Sequence, residues 1–136
     1  MKRIFSILLL SMLLFSCSLN DKSMESKISV ELQNTNELNL SNYNDFDWDS
    51  VIILNPYSNI EKIEKEKDIN LSDVSTSIER LDNINLVVFL KNGKAVKYSE
   101  VHRSIADFDN YQDIIEKQNA NFKLISDLKD NCTSSK

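Results

Sequence analysis

The chain reads as an α+β domain, a mainly antiparallel sheet of four to five strands with one or two short helices packed on it. Three observations predict this. Val51-Ile52-Ile53-Leu54 is a continuous, β-branched apolar run ended by Asn55-Pro56, the pattern of a short strand buried on both faces. Asn92-Gly93 sits between two strand-like runs, Ile84 to Leu90 and Lys94 to Tyr98, and this dipeptide best tolerates the positive φ angles of a two-residue hairpin turn. Between these signals, Ser58-Asn59-Ile60-Glu61 has the spacing of a capping box, which opens a helix.

In chain order, the first element is a leader. Lys2 and Arg3 precede an apolar run from Ile4 to Phe15, followed by Ser16-Cys17-Ser18. A membrane span needs about 20 apolar residues, so the run is the core of a secretory signal over residues 1–16. Leu14-Phe15-Ser16-Cys17 resembles the lipobox of bacterial lipoproteins, with Phe15 bulkier than is usual at its position. The resemblance implies cleavage before Cys17, lipidation of Cys17, and retention on the membrane by its acyl chains, including palmitate. A conventional cut before Leu19, releasing a soluble protein, is the alternative.

Residues 17–37 are expected to be a polar tether from the lipidated cysteine, with a short strand possible where Ile28, Val30 and Leu32 alternate with polar residues. A single domain is expected over residues 38–128. After the Val51–Leu54 strand, the capped helix places Ile60 and Ile63 on one face, and Glu61 pairs with Lys65 along it. Thr76 to Leu81 suits either a further strand or a helical turn. Asp109-Asn110-Tyr111-Gln112 is expected to cap a short helix bearing Ile114 and Ile115. Ala120 to Ile125 is expected as a final edge strand with Phe122 and Leu124 facing inward. Residues 129–136 read as a polar tail holding an unpaired Cys132.

Loss of Lys2 and Arg3 with the leader leaves 14 basic against 21 acidic residues, a balance of −7. That argues against nucleic acid or an anionic lipid surface as the main partner, since both require a basic footprint. A single glycine cannot build a phosphate-binding loop, and one histidine with no Cys-x-x-Cys pair cannot build a histidine-rich zinc site. No cofactor, metal ligand or catalytic residue is therefore assigned.

Two constellations invite chemistry. Glu100 and His102 share a strand face, where they could form a proton-transfer pair, although a solvated histidine is the simpler reading. Asp45, Asp47 and Asp49 alternate with Phe46 and Trp48. A calcium loop would require a turn glycine and a closing glutamate, so the segment is expected to be extended, with carboxylates outward and aromatics inward.

The stretch Trp48-Asp49 through Pro56-Tyr57 is similar to a group of small bacterial lipoproteins in which a Trp-Asp pair leads into an apolar strand ending in Pro-Tyr. That group carries no established reaction, so the resemblance bears on the fold and on location in the cell envelope, the outer membrane in a Gram-negative cell. The expectation that follows is a non-enzymatic, lipid-anchored module that binds another envelope or secreted protein, with Tyr57 the candidate contact. A small envelope hydrolase or metal-dependent enzyme using His102 is the alternative.

Overall fold

Asn92 and Gly93 both have positive φ, 50° and 74°, and they join two long antiparallel strands into the expected hairpin. The computed structural model describes residues 18–108, 112–124 and 131–134. In chain order these form α1 (Met24–Thr35), β1 (Glu37–Asn39), a 3-10 turn (Leu40–Asn42), β2 (Ser50–Leu54), α2 (Ile60–Lys67), β3 (Ile84–Lys91) and β4 (Lys94–His102). They continue with β5 (Asp107–Phe108), β6 (Ile114–Glu116), a second 3-10 turn (Lys117–Asn119), β7 (Asn121–Leu124) and β8 (Asn131–Ser134). The α+β class stands, with the strands divided over two four-stranded sheets ordered β4-β3-β2-β6 and β1-β7-β8-β5. All neighbours are antiparallel except β5 and β8.

The first sheet lies between two cores, which explains why β2 is apolar without alternation. Val51, Ile53, Val87, Phe89 and Val101 point to one face, against Met24, Ile28 and Leu32 of α1 and against Leu38, Phe108 and Phe122 of the second sheet. Ile52, Leu54, Leu86, Val88 and Leu90 point to the other, against Ile63 of α2 and against Ile69, Leu71 and Ile78. A strand covered on both faces is selected for apolar residues at every position. Phe89 anchors the first core, meeting Trp48 edge-on at 4.8 Å between ring centroids and Phe46 at 5.1 Å.

Several expectations are corrected. The supposed tether is α1, a twelve-residue helix ending at Asn36 in the left-handed conformation. Met24, Ile28 and Leu32 are buried at a spacing of four while Val30 is 57% exposed, so the alternation of Ile28, Val30 and Leu32 is not a strand. The cap of α2 is Asn59, whose side chain accepts the Lys62 N–H at 2.8 Å; the Ser58 hydroxyl instead donates to the Asn55 carbonyl. The ion pair along α2 joins Lys62 and Glu66 at 3.7 Å rather than Glu61 and Lys65.

Thr76 to Leu81 forms no strand; backbone bonds from Arg80 and Leu81 back to Ser77 make it a turn. Ile114 and Ile115 lie in β6, paired with Ile52 and Val51, and not in a helix; Asp109 to Tyr111 lie outside the described residues. β7 is an interior strand between β1 and β8 rather than an edge. Phe122 is fully buried as expected, while the direction of Leu124 lies outside what is described. Part of the expected tail is β8, which pairs with β7 and β5. β6, by contrast, is paired only with β2, far earlier in the chain, and leaves little local signature because its stabilising contacts are non-local.

Candidate functional site

The loop leaving β2 carries the most unusual backbone feature of the surface. Asn55-Pro56-Tyr57-Ser58 closes with a Ser58 N–H to Asn55 carbonyl bond of 3.3 Å. Proline at the second position and positive φ at the third are the marks of a type II turn, whose third residue is ordinarily glycine or asparagine. Here that residue is Tyr57, at φ 63°. An L-residue in the left-handed region carries about 1–2 kcal/mol of strain, and Tyr57 does not recover it by burial, being 63% exposed.

The surroundings hold the turn in place. The buried Ser58 hydroxyl donates to the Asn55 carbonyl at 2.7 Å, and Gln112 Nε2 donates to Asn55 Oδ1 at 3.1 Å. Gln112, itself at φ 65°, also donates its backbone N–H to the Ile53 carbonyl. The Tyr57 N–H donates to the Ile78 carbonyl at 2.8 Å. Tyr57 thus has a fixed backbone and a solvent-facing ring.

Beside it lies a groove of about 250 Å³ lined by Asn55, Pro56, Tyr57, Asp82 and Arg103. The Arg103 guanidinium is oriented by Asp107, with Nε and Nη2 at 3.1 and 2.5 Å from Oδ2, while Nη1 donates to the Asp82 carbonyl. Tyrosine and arginine are the side chains most enriched among those that dominate binding at protein interfaces.

His102 ends β4 and is exposed. Its Nδ1 accepts the Ser104 N–H at 3.2 Å and lies 2.7 Å from the Ser104 hydroxyl, and Nε2 lies 3.4 Å from Asn83 Nδ2. Glu100 and His102 do line one cleft, of about 310 Å³, together with Glu25 and Lys22. The Glu100 carboxylate, however, accepts from the Thr76 hydroxyl at 2.6 Å and the Ser77 N–H. The partners of the His102 ring, Asn83 and Ser104, come from flanking turns, and its backbone N–H donates to the Glu25 carboxylate of α1 at 3.0 Å; none could be assigned from strand alternation.

The acidic segment keeps the expected facing of its aromatics and of Asp45 and Asp47, but it is not extended: the backbone bends at Asp45-Phe46 and again at Asp49, which is partly buried. Asp45 and Asp47 face solvent and pair with Lys27 and Lys91, each at 3.2 Å, while Trp48 is 2% exposed. Asp49 accepts the Asn92 N–H at 2.8 Å and the Ser50 hydroxyl, which lowers its pKa below the ordinary carboxylate value against a smaller opposing effect of burial. Among the described residues, no group of three or more His, Cys, Asp or Glu side chains could hold a metal ion.

A wider depression, about 720 Å³, borders β6 and includes Trp48, Asp49, Ile114 and Lys117. Its charged groups are engaged by neighbours: Lys117 bonds Asn44 and lies 4.8 Å over the Trp48 ring, Asp49 accepts the Asn92 N–H, and Glu116 accepts from Gln118. Partly buried Tyr43, which supports the Trp48 indole through its carbonyl, has its pKa raised by desolvation and by the adjacent Glu31 carboxylate.

No protein-family model, curated protein or solved structure matches this chain.

Proposed function

We propose that this chain is a lipid-anchored protein of the bacterial cell envelope that captures another protein through the Tyr57 corner. The observation that carries the reading is the exposed aromatic ring on a left-handed backbone. Strained residues persist where surrounding structure holds them and cluster at functional sites, and a rigid, exposed tyrosine gives contact area at small entropic loss. Arg103 beside it supplies a second oriented anchor. The acidic balance of the mature chain favours a basic partner face. Immunity toward a toxin, inhibition of an envelope enzyme and an accessory role in an envelope complex all use such a surface.

The lipobox residues support the anchor. Membrane fractions should retain the wild-type chain with incorporated palmitate, whereas Cys17→Ser should lose both; equal labelling of the two would remove the anchor from the proposal. Capture from envelope extracts separates binding from catalysis. With folding matched by circular dichroism, Tyr57→Ala should lose capture by about tenfold, the equivalent of 1.4 kcal/mol, and His102→Ala should retain it. Loss of cellular function in His102→Ala with capture unchanged would instead favour the hydrolase reading.

A further inference from the structure

Leu19 is already part of the fold, and this has a consequence for how the domain sits on its membrane. The Tyr98 N–H donates to the Leu19 carbonyl, and the Asp21 N–H donates to the Tyr98 carbonyl, each at 2.8 Å. Asn20 thereby forms a parallel bridge on the outer edge of β4, and the Leu19 side chain packs against the second core. Asp21 then secures the start of α1, accepting the Ser23 N–H at 3.0 Å and the Ser23 hydroxyl at 2.6 Å, with Lys97 3.8 Å away. The helix that follows buries Met24, Ile28 and Leu32. From Leu19 onward the described chain has no slack. A single residue, Ser18, separates Cys17 from Leu19, and two residue steps reach at most about 7 Å.

We propose that the acyl chains on Cys17 hold the domain directly against the phospholipid surface, with the β4 edge of the first sheet at the headgroups. This rests on the lipidation reading above. The opposite edge, β6, is three strand spacings away in the order β4-β3-β2-β6, about 14 Å across the sheet. The edge next to the anchor also suits a lipid surface. It carries Lys22, Lys94 and Lys97 against Asp21, Asp73, Glu25 and Glu100, so basic and acidic groups are nearly balanced there although the chain as a whole is acidic, and repulsion from anionic headgroups is small. The occupant of this edge is the bilayer that bears the lipid. The anchor therefore sets orientation as well as location, and partners must approach from the β6 side or from the rim of the domain.

The test uses the full lipidated chain in phosphatidylcholine vesicles, with Cys132→Ser so that introduced cysteines alone are labelled. Nitroxide probes at Lys22→Cys and Gln118→Cys report distance to the headgroups through relaxation by a Ni²⁺ chelate carried on lipid. Relaxation at position 22 should exceed that at 118 several-fold. A Gly/Ser insertion of about ten residues between Ser18 and Leu19, adding about 17 Å of mean reach, should abolish the difference while vesicle flotation persists. Equal relaxation at the two sites in the uninserted chain, with flotation intact, would overturn the orientation and leave the anchor standing. Absence of flotation in the uninserted chain would overturn both.

Discussion

The turns at Asn92-Gly93 and at Tyr57 both place residues at positive φ, and they do so with opposite chemistry. At the β3–β4 hairpin, the left-handed positions are held by Asn92 and Gly93, the residues that accept that conformation most readily. At the end of β2, the same region of backbone space is held by Tyr57, whose ring is mostly in solvent. In the first turn, sequence and backbone agree and the result is a register-setting element for the sheet. In the second they conflict, and neither side-chain burial nor a hydrogen bond from the ring within the described contacts compensates. On the function proposed above, the difference separates a turn kept for folding from a turn kept for what it displays.

Substitutions can sharpen that contrast. Gly93→Val should lower stability by about 1–2 kcal/mol, from backbone strain alone. A Cβ added at Gly93 would come no closer than 3.7 Å to the Asp68 carbonyl oxygen, so crowding adds little. A denaturation midpoint equal to wild type would show that the hairpin turn does not need glycine.

Asp49 gives a second, smaller probe of the same turn. Its carboxylate accepts the Asn92 N–H and its pKa is lowered chiefly by that bond. A carboxylate with a folded-state pKa below its unfolded value stabilises fully above about pH 4 and loses that contribution as pH falls through the folded value. Asp49→Asn should therefore lower stability by about 1 kcal/mol at neutral pH, a charged hydrogen bond discounted for solvent. The gap from wild type should narrow as the pH is taken below about 4. A pH-independent gap would assign the loss to packing instead.

What could be read from the sequence follows how local each signal is. The hairpin, β2 and α2 were legible because turn chemistry, apolar runs and capping residues lie within the elements themselves. α1 was not, because Ile28, Val30 and Leu32 mimic a strand's alternation, and only the core that receives Met24, Ile28 and Leu32 selects the helical spacing. β6 exists through pairing with β2, far earlier in the chain, and β8, although close in sequence to β7, is polar and carries no apolar run to announce it. At the candidate site, Pro56-Tyr57 announced an exposed aromatic after a strand. The left-handed backbone of Tyr57 was hidden, since tyrosine is not a residue from which that conformation is inferred. Arg103 and Asp82 reach the groove from other loops, and no spacing in the sequence joins them to Tyr57.

If the Tyr57 ring is retained for binding despite its backbone, Tyr57→Gly is the deciding substitution. Glycine relieves the left-handed strain but raises the entropy of the unfolded chain, effects of about 1–2 and about 0.4–1 kcal/mol in opposite directions. Thermal stability should be unchanged or slightly raised, by less than about 1 kcal/mol, and partner capture should be lost in the same preparation. A Tyr57→Gly protein that melts lower than wild type and captures its partner normally would contradict retention for binding, because the ring would then be supporting the fold.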